Sequence, residues 1–286
     1  MRLKDFGAAP AGVRAVDFSA PAGAAALTAP DSVTWRVFKN PVALFTGGVT
    51  AVLLELAEPR VRTGVWDHTT FRTDPIGRMR RTGYAAMVTV YAPRATAEAM
   101  IAGVSRQHAR VAGVTGEGLA YRADDPELLD WVQATAAFGF LTAYHRFVGP
   151  LTLAERDRFY AEGAPAAALY GATGAPTSEA VCEALFARMK GKLARSDIVF
   201  EFLDIVRRAP IAPAPLRGVQ HLLIKAAIDC VPEDVRALLG LETRFSALDA
   251  TLVRMLGAAA DRIVLKDAPP ARACVRMGLR AGYLHR

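Results

Sequence analysis

One of the five histidines in the chain stands where its side chain can bind a metal. From Ala97 to Val111 apolar residues recur at spacings of three and four, and His108 falls on the same stripe. A helix over this segment therefore points the imidazole inward. A buried neutral imidazole needs a hydrogen-bond partner or a metal, because an unpaired buried polar group costs about 1 to 3 kcal/mol. A hydrogen-bonded core histidine and a metal ligand both stay open at this point.

A second group of residues that could bind a ligand or take part in catalysis precedes His108 in the sequence. Arg78, Arg81 and Thr82 are spaced i, i+3 and i+4, so they share one face of a helix. Two guanidinium groups at the edge of an apolar surface suit carboxylates or phosphates, because the planar fork forms bidentate charge-assisted hydrogen bonds. The alternative is an ordinary ion-pair network with a nearby carboxylate, Asp67, Asp74 or Glu58.

Between the first long helix and the arginine helix, residues 58–75 are dense with polar and aromatic side chains and are expected to form a loop. Glu58 falls at the predicted end of a helix, where the helix dipole disfavours a carboxylate unless it is paired. Its side chain is a candidate general base. A salt bridge to Arg60, Arg62 or Arg81 is the competing interpretation.

The elements that must position these residues are helices. Three of them begin with a capping residue followed by proline, at Asn40-Pro41, Asp74-Pro75 and Asp125-Pro126. The helix after Asp125 is apolar nearly all round and belongs in the middle of a core. Thr96 is the predicted cap of the His108 helix, with Gly113 as its C-cap. Further helices are predicted at 153–162, 178–192, 216–229, 232–239 and 245–258, and a short strand near 120–122.

These patterns predict an all-α fold. Residues 1–30 are rich in Ala, Gly and Pro and are expected to form an irregular arm, and residues 31–286 a single mainly helical domain. Near the C-terminus, 253–264 and 271–284 look like amphipathic helices with arginine edges. A solvated face and a membrane-surface or partner helix are the two interpretations of this segment.

Composition excludes several classes. The chain has 286 residues, 52% hydrophobic and 22% charged, which is globular. Its net charge of +7 is concentrated in residues 60–94 and 254–286, so we expect no nucleic-acid partner. The first residues lack the apolar core of a secretory signal and no run is long enough to cross a bilayer, so we expect a cytoplasmic protein without a transmembrane segment. The three cysteines form no disulfide or zinc pattern.

Longer blocks of the sequence resemble a known family. They are GGVTAVLLELAEPRVRTGVWDHTTFRTDPIGRMRRTGYAAM, GVSRQHARVAG, YRADDPELLDWVQATAAFGFL and PLTLAERDRFYAEG. Together they are similar to blocks of the superfamily that contains rubber oxygenases (latex clearing proteins) and the mycophenolic-acid-pathway oxygenases. The similarity extends over nearly the whole chain.

The resemblance implies an all-helical domain that encloses a pocket for a b-type haem. The position that matches the proximal iron ligand is His108, and the R-x-x-K/R-T segment of the distal side matches Arg78, Arg81 and Thr82. The carboxylate that acts as base in rubber-cleaving members corresponds most nearly to Glu58. A neutral imidazole is a common haem ligand, and guanidinium groups can meet propionates or a bound oxygen species.

The sequence departs from the family at several positions. Rubber-cleaving members carry lysine where Arg81 stands and arginines where Ser105 and Ala112 stand, and many relatives carry histidine at the positions of Glu58 and Gln133. Rubber cleavage itself is therefore not expected.

Two functional hypotheses follow. The first is a haem b-dependent oxidoreductase, an oxygenase that acts on an apolar small molecule with dioxygen, in which His108 binds the iron. In it Arg78, Arg81 and Thr82 contact the haem or shape the distal site, and Arg81, Thr82 and Glu58 are the candidate catalytic residues. The alternative is a helical protein without haem that binds an apolar ligand or serves as a partner subunit.

Overall fold

The computed structural model describes residues 8–211 and 213–285. Within these ranges the chain forms thirteen α-helices and one antiparallel two-stranded sheet, which confirms the predicted all-α fold. The helices are α1 Val33–Phe38, α2 Pro41–Glu55, α3 Pro59–His68, α4 Pro75–Tyr91, α5 Arg94–His108, α6 Pro126–Phe147, α7 Leu153–Tyr170, α8 Glu179–Met189, α9 Asp197–Arg208, α10 Arg217–Cys230, α11 Glu233–Leu239, α12 Ala247–Arg262 and α13 Pro269–Arg276, and the strands are β1 Ala112–Val114 and β2 Ala120–Arg122.

The three predicted capping residues begin α2, α4 and α6 at the predicted positions. The Asn40 side chain accepts hydrogen bonds from the backbone N–H groups two and three residues on, Asp74 caps Gly77, and Asp125 caps Glu127. In each case proline follows, and its fixed φ suits the first helical position while its missing N–H costs nothing there. These starts position the C-terminal end of α2 and the whole of α4, which carry candidate site residues.

The segment after Glu58 differs from the prediction. Residues 59–68 form helix α3, whereas the sequence indicated a loop. Glu58 caps this helix through its own carboxylate, which accepts a hydrogen bond from Val61 N at 2.8 Å. Glu58 therefore lies at a helix N-terminus, where the dipole favours a negative charge rather than opposing it.

The helix that carries His108 also has different ends. Helix α5 begins at Arg94, directly after Pro93, and ends at His108 itself. Gly113 is not its C-cap but lies in β1, opposite Tyr121 of β2. A Cβ at Gly113 would lie 2.7 Å from the Tyr121 hydroxyl oxygen, so the tyrosine ring occupies the space that a side chain would need.

Two central helices form the core. Helix α6 packs against α2 over most of its length, and α10 and α12 pack against both. At the crossing, a Cβ on Gly139 would lie 2.4 Å from Gly47 O and 3.1 Å from Ala51 N, so the two backbones are in direct contact. Helices α4 and α5 pack against each other beside this core, with α5 also on α7.

The arm and the tail of the described chain are bound to each other. Arg276 of α13 is buried, with 1% of its surface exposed, and donates hydrogen bonds to Ala24 O at 2.8 Å and Phe18 O at 2.7 Å. Arg272 pairs with Asp17 at 2.6 Å. The arginine edge of the tail is thus only in part a solvated face, because it also holds the arm. The division of the chain at residue 30 stays a prediction.

In the described part of the chain, no single helix is both long enough and apolar enough to cross a membrane. Helices α2 and α3 reach the necessary length and apolarity only as a pair, with a bend of 112° between them. The cytoplasmic location stays a prediction.

Candidate functional site

His108 is the last residue of α5, on the side of the helix that faces the protein. Ala97 and Ile101 of the same stripe are buried, and the His108 side chain itself is half-buried. Its Nδ1 atom is buried and has no hydrogen-bond partner among the described residues, and neither does Ser105 Oγ, one turn earlier. An orphaned buried polar atom is costly, so this end of α5 is suited to a group that the polypeptide does not supply.

Arg78 and Thr82 lie together on α4. The Arg78 guanidinium donates a hydrogen bond to Thr82 Oγ1, and the Thr82 hydroxyl donates to Arg78 O at 3.0 Å. Thr82 is exposed, whereas Arg78 is half-buried. Burial lowers the pKa of Arg78, Glu55 opposes this change, and the neighbouring Arg81 adds to it to a smaller extent. A positive charge is therefore held partly out of water without a direct carboxylate partner among the described residues, which favours the binding of an anion.

Arg81 is directed away from this pair. Its guanidinium donates to Thr70 Oγ1 at 2.6 Å and pairs with Asp74 Oδ2 at 3.4 Å, on the loop before α4. This is the ion-pair network that the sequence offered as the alternative. The structure thus brings Arg78 and Thr82 together and ties Arg81 to the loop.

Glu58 is engaged on both of its carboxylate oxygens. One oxygen accepts from Val61 N, and the other pairs with Arg60 Nε at 2.7 Å. Only 1% of the Glu58 surface is exposed, and none of its hydrogen bonds reaches Arg78 or His108. The competing salt-bridge interpretation from the sequence is the one that the structure favours, with Arg60 as the partner.

A carboxyl group that the sequence argument did not single out is closer to the site. Glu55 ends α2 and is the only charged residue in that helix. Its carboxylate has no hydrogen bond to any described residue, and burial raises its pKa to about 7, an effect that the positive charge of Arg78 partly offsets. A single acidic residue in an otherwise apolar helix is the sequence signal that could have identified it.

Glu55, Arg78, Thr82 and His108 together form what we call the Arg78 cluster. Arg78 interacts electrostatically with both Glu55 and His108, although no direct ion pair joins it to Glu55. The pKa of His108 is lowered by burial and, to a smaller extent, by Arg78, while Asp124 opposes the change. The imidazole is therefore neutral at pH 7 and has a lone pair available for a metal or a hydrogen-bond donor.

The residues of the Arg78 cluster fit a haem better than a metal ion held by protein ligands alone. No three His, Cys, Asp or Glu side chains come together in the described residues in a way that could hold a metal ion. A haem needs only one protein ligand to its iron, a place that the His108 imidazole would be able to take, and the Arg78 guanidinium would suit a propionate. Gln133, in the middle of α6, is half-buried and forms no hydrogen bond through its side chain.

Two surface depressions lie elsewhere. One is lined by charged residues of α9 with Arg72 and Pro75, and the other, of about 80 Å³, is lined mainly by apolar residues around Ile263 and Pro270. Neither includes a residue of the Arg78 cluster.

Comparison with known proteins bears on the identity of this site. Comparisons with curated proteins and with solved structures found no match. A family model described as "ER-bound oxygenase mpaB/B'/Rubber oxygenase, catalytic domain" matches residues 35–262, which include every residue of the Arg78 cluster. The chain therefore belongs to the family of mpaB-type and rubber oxygenase catalytic domains, and this membership supports a general oxygenase role.

Proposed function

We propose that the protein is a haem b-dependent oxidoreductase, an oxygenase that acts on an apolar small molecule with dioxygen. The observation that carries this proposal is the half-buried His108 imidazole, whose buried Nδ1 has no hydrogen-bond partner among the described residues and which lies near the Arg78 guanidinium in a chain of an oxygenase family. Family membership alone supports only the reaction class, and the Arg78 cluster supports the cofactor.

In this proposal each residue of the Arg78 cluster has a stated role. His108 would hold the haem iron through its neutral imidazole, and Arg78 would bind a propionate or hydrogen-bond to an oxygen species. Thr82 orients the Arg78 guanidinium through the hydrogen bond that it accepts. When bound, the haem would supply the redox chemistry for activation of dioxygen.

Glu55 is the better candidate than Glu58 for exchange of a proton. Its pKa of about 7 places both protonation states within reach at neutral pH, and its oxygens form no hydrogen bond with any described residue. Glu58 is occupied by the α3 cap and by Arg60. Arg81, held by the loop before α4, would act at the rim of the site by supporting the position of α4.

The test is the visible spectrum of the purified protein and its haem content. Protein expressed with ample haem should show a Soret band, and His108→Ala should lose it. His68→Ala is the matched control, because His68 also ends a helix but hydrogen-bonds to the Tyr121 hydroxyl at 3.1 Å. Absence of a Soret band in the unmodified protein refutes the cofactor proposal, and unchanged haem in His108→Ala refutes the ligand assignment.

A second candidate is a helical protein that binds an apolar ligand without haem. Gln133 favours it, since this half-buried side chain stands where relatives have histidine, and so does the absence of the Arg78 cluster from both depressions described above. This candidate predicts a colourless protein whose melting temperature rises with terpenoid or fatty-acid ligands. A Soret band in the purified protein decides against it.

A further inference from the structure

Helix α12 presents an apolar line to solvent. Leu248, Leu252 and Met255 are 69%, 42% and 63% exposed, and their i, i+4, i+7 spacing places them on one side of the helix. Ile263, directly after the helix, is 52% exposed. We call these four residues the outer face of α12.

The protein core does not use the outer face. Helix α12 packs on the core through its opposite side, where Val253 is fully buried. Gly257 on that side allows the end of α6 to approach closely, because a Cβ there would lie 2.1 Å from Phe147 O. The helix therefore has a complete inner contact, and its outer face is an additional apolar surface of the kind that marks an interaction site.

The acidic side chains of α12 are paired with lysines, whereas two of its basic side chains are not paired within the described part of the chain. Its two carboxylates, Asp249 and Asp261, pair with lysines outside the helix at 3.5 Å and 2.9 Å. Arg254 and Arg262 are exposed, and neither forms an ion pair with any described residue. At 100° per residue, Arg262 lies about 20° from Met255, at the border of the outer face, and Arg254 lies about 100° from Met255 on the same side. Unneutralised positive charge therefore borders the exposed leucine and methionine at Arg262 and flanks them at Arg254.

We propose that the outer face of α12 binds to the surface of an anionic lipid bilayer. A helix with an apolar face and basic residues at its edge lies in the membrane interface, with the apolar side chains among the acyl chains and the arginines near lipid phosphates. The net charge of +7 favours the approach of the whole chain to such a surface.

A second copy of the chain fits the outer face less well. A symmetric pair would enclose Arg254 and Arg262 of both copies, because a two-fold interface contains the same patch from each subunit, and the carboxylates of α12 are already paired with lysines. The resulting repulsion of like charges opposes that contact, whereas lipid phosphates neutralise it. This inference does not depend on the haem proposal, since none of its residues belongs to the Arg78 cluster.

The experiment is co-sedimentation of the full chain with vesicles. Vesicles of phosphatidylcholine alone are compared with vesicles of equal parts phosphatidylcholine and phosphatidylglycerol, in about 0.1 M and about 1 M salt. We expect binding to the anionic vesicles to be at least about tenfold stronger and to weaken at high salt, where the Debye length falls to about 3 Å.

Two double variants test the two parts of the surface. Arg254→Gln with Arg262→Gln should weaken anionic binding about 30-fold, because each removed charge near such a surface is worth roughly fivefold. The matched control is Arg106→Gln with Arg188→Gln, which removes two exposed arginines of α5 and α8 that form no ion pair with described residues.

Leu248→Asn with Met255→Asn should weaken binding at least about tenfold, because two apolar side chains no longer enter the interface. Its control is Leu153→Asn with Val181→Asn, at positions 57% and 43% exposed on α7 and α8. All these side chains are exposed, so circular dichroism should show unchanged folding.

Equal binding to neutral and anionic vesicles overturns the proposal. The proposal is also overturned if the α12 variants bind the anionic vesicles as strongly as their control variants do. A dimer in solution that Leu248→Asn with Met255→Asn dissociates, without vesicle binding, assigns the outer face to a second copy instead.

Discussion

Replacement of Glu55 by glutamine should remove a pH dependence that this carboxyl imposes on the stability of the protein. In the folded chain its pKa is about 7, against an ordinary value of 4.5. The folded state therefore holds the proton more tightly than the unfolded state, so stability falls as the pH rises from about 4.5 through 7. At about 1.4 kcal/mol per pKa unit, the destabilisation reaches about 3 kcal/mol above pH 7.

The assay is urea denaturation of the wild type and Glu55→Gln near pH 5 and near pH 8. Most of the destabilisation of the wild type develops between these two pH values. The free energy of unfolding of Glu55→Gln minus that of the wild type should therefore be about 2.5 kcal/mol larger near pH 8 than near pH 5. Glu242→Gln, at an exposed glutamate without an ion pair, controls for the loss of a charge as such. If this difference in the free energy of unfolding changes by less than about 1 kcal/mol between the two pH values, Glu55 is not a buried carboxyl that retains its proton in the folded state.

Three further substitutions test the packing that surrounds the site. Gly139→Ala should destabilise the protein by about 1 to 3 kcal/mol, because the new methyl group meets backbone atoms of α2. Gly48→Ala, whose Cβ would lie 3.8 Å from a phenylalanine ring, should instead stabilise it by about 0.5 to 1 kcal/mol. Chemical denaturation should show changes of opposite sign in the free energy of unfolding of these two variants. Asn40→Ala should cost about 3 kcal/mol in the same measurement, since the buried side chain caps α2 and also donates to Gly257 O at 3.0 Å, and a loss below about 1 kcal/mol would contradict this account. Arg276→Ala should release the arm and speed its cleavage in limited proteolysis, while Arg272→Ala, which removes an exposed ion pair worth about 0 to 1 kcal/mol, should have little effect; similar cleavage of both variants would show that the buried hydrogen bonds do not hold the arm.

The helix starts were the most predictable part of the fold. A capping side chain followed by proline predicted the beginnings of α2, α4 and α6, because this pair satisfies free N–H groups and presets φ without any tertiary contact. Glu58-Pro59 begins α3 in the same way and was missed, since glutamate is an uncommon cap. The end of α5 was also predicted wrongly. Glycine at position 113 leaves room for the Tyr121 ring, which comes from another strand, and does not end the helix.

The site was predictable only where one helix carries the information. The apolar stripe of α5 placed His108 on the inner side correctly, and the i, i+4 spacing placed Arg78 beside Thr82. The side chains of Arg81 and Glu58 are held by partners close in the sequence, Asp74 and Arg60 among them, and not by residues of the Arg78 cluster. Glu55 was not predicted as a candidate site residue, because the burial that raises its pKa comes from tertiary packing; the sequence shows only that it is the one acidic residue of an apolar helix.

The contact between α2 and α6 has a mechanical consequence. Helices usually adjust to one another by rotamer changes in the side chains between them, but at Gly47 and Gly139 the backbones touch and there is no such layer to rearrange. These two helices therefore behave as a stiff frame. Helices α4 and α5, which carry Arg78 and His108, take no part in that crossing. They pack against each other, α4 also against α1 and α13, and α5 also against α7. We therefore expect any adjustment of the Arg78 cluster to a bound molecule to come from α4 and α5 rather than from α2, which carries Glu55.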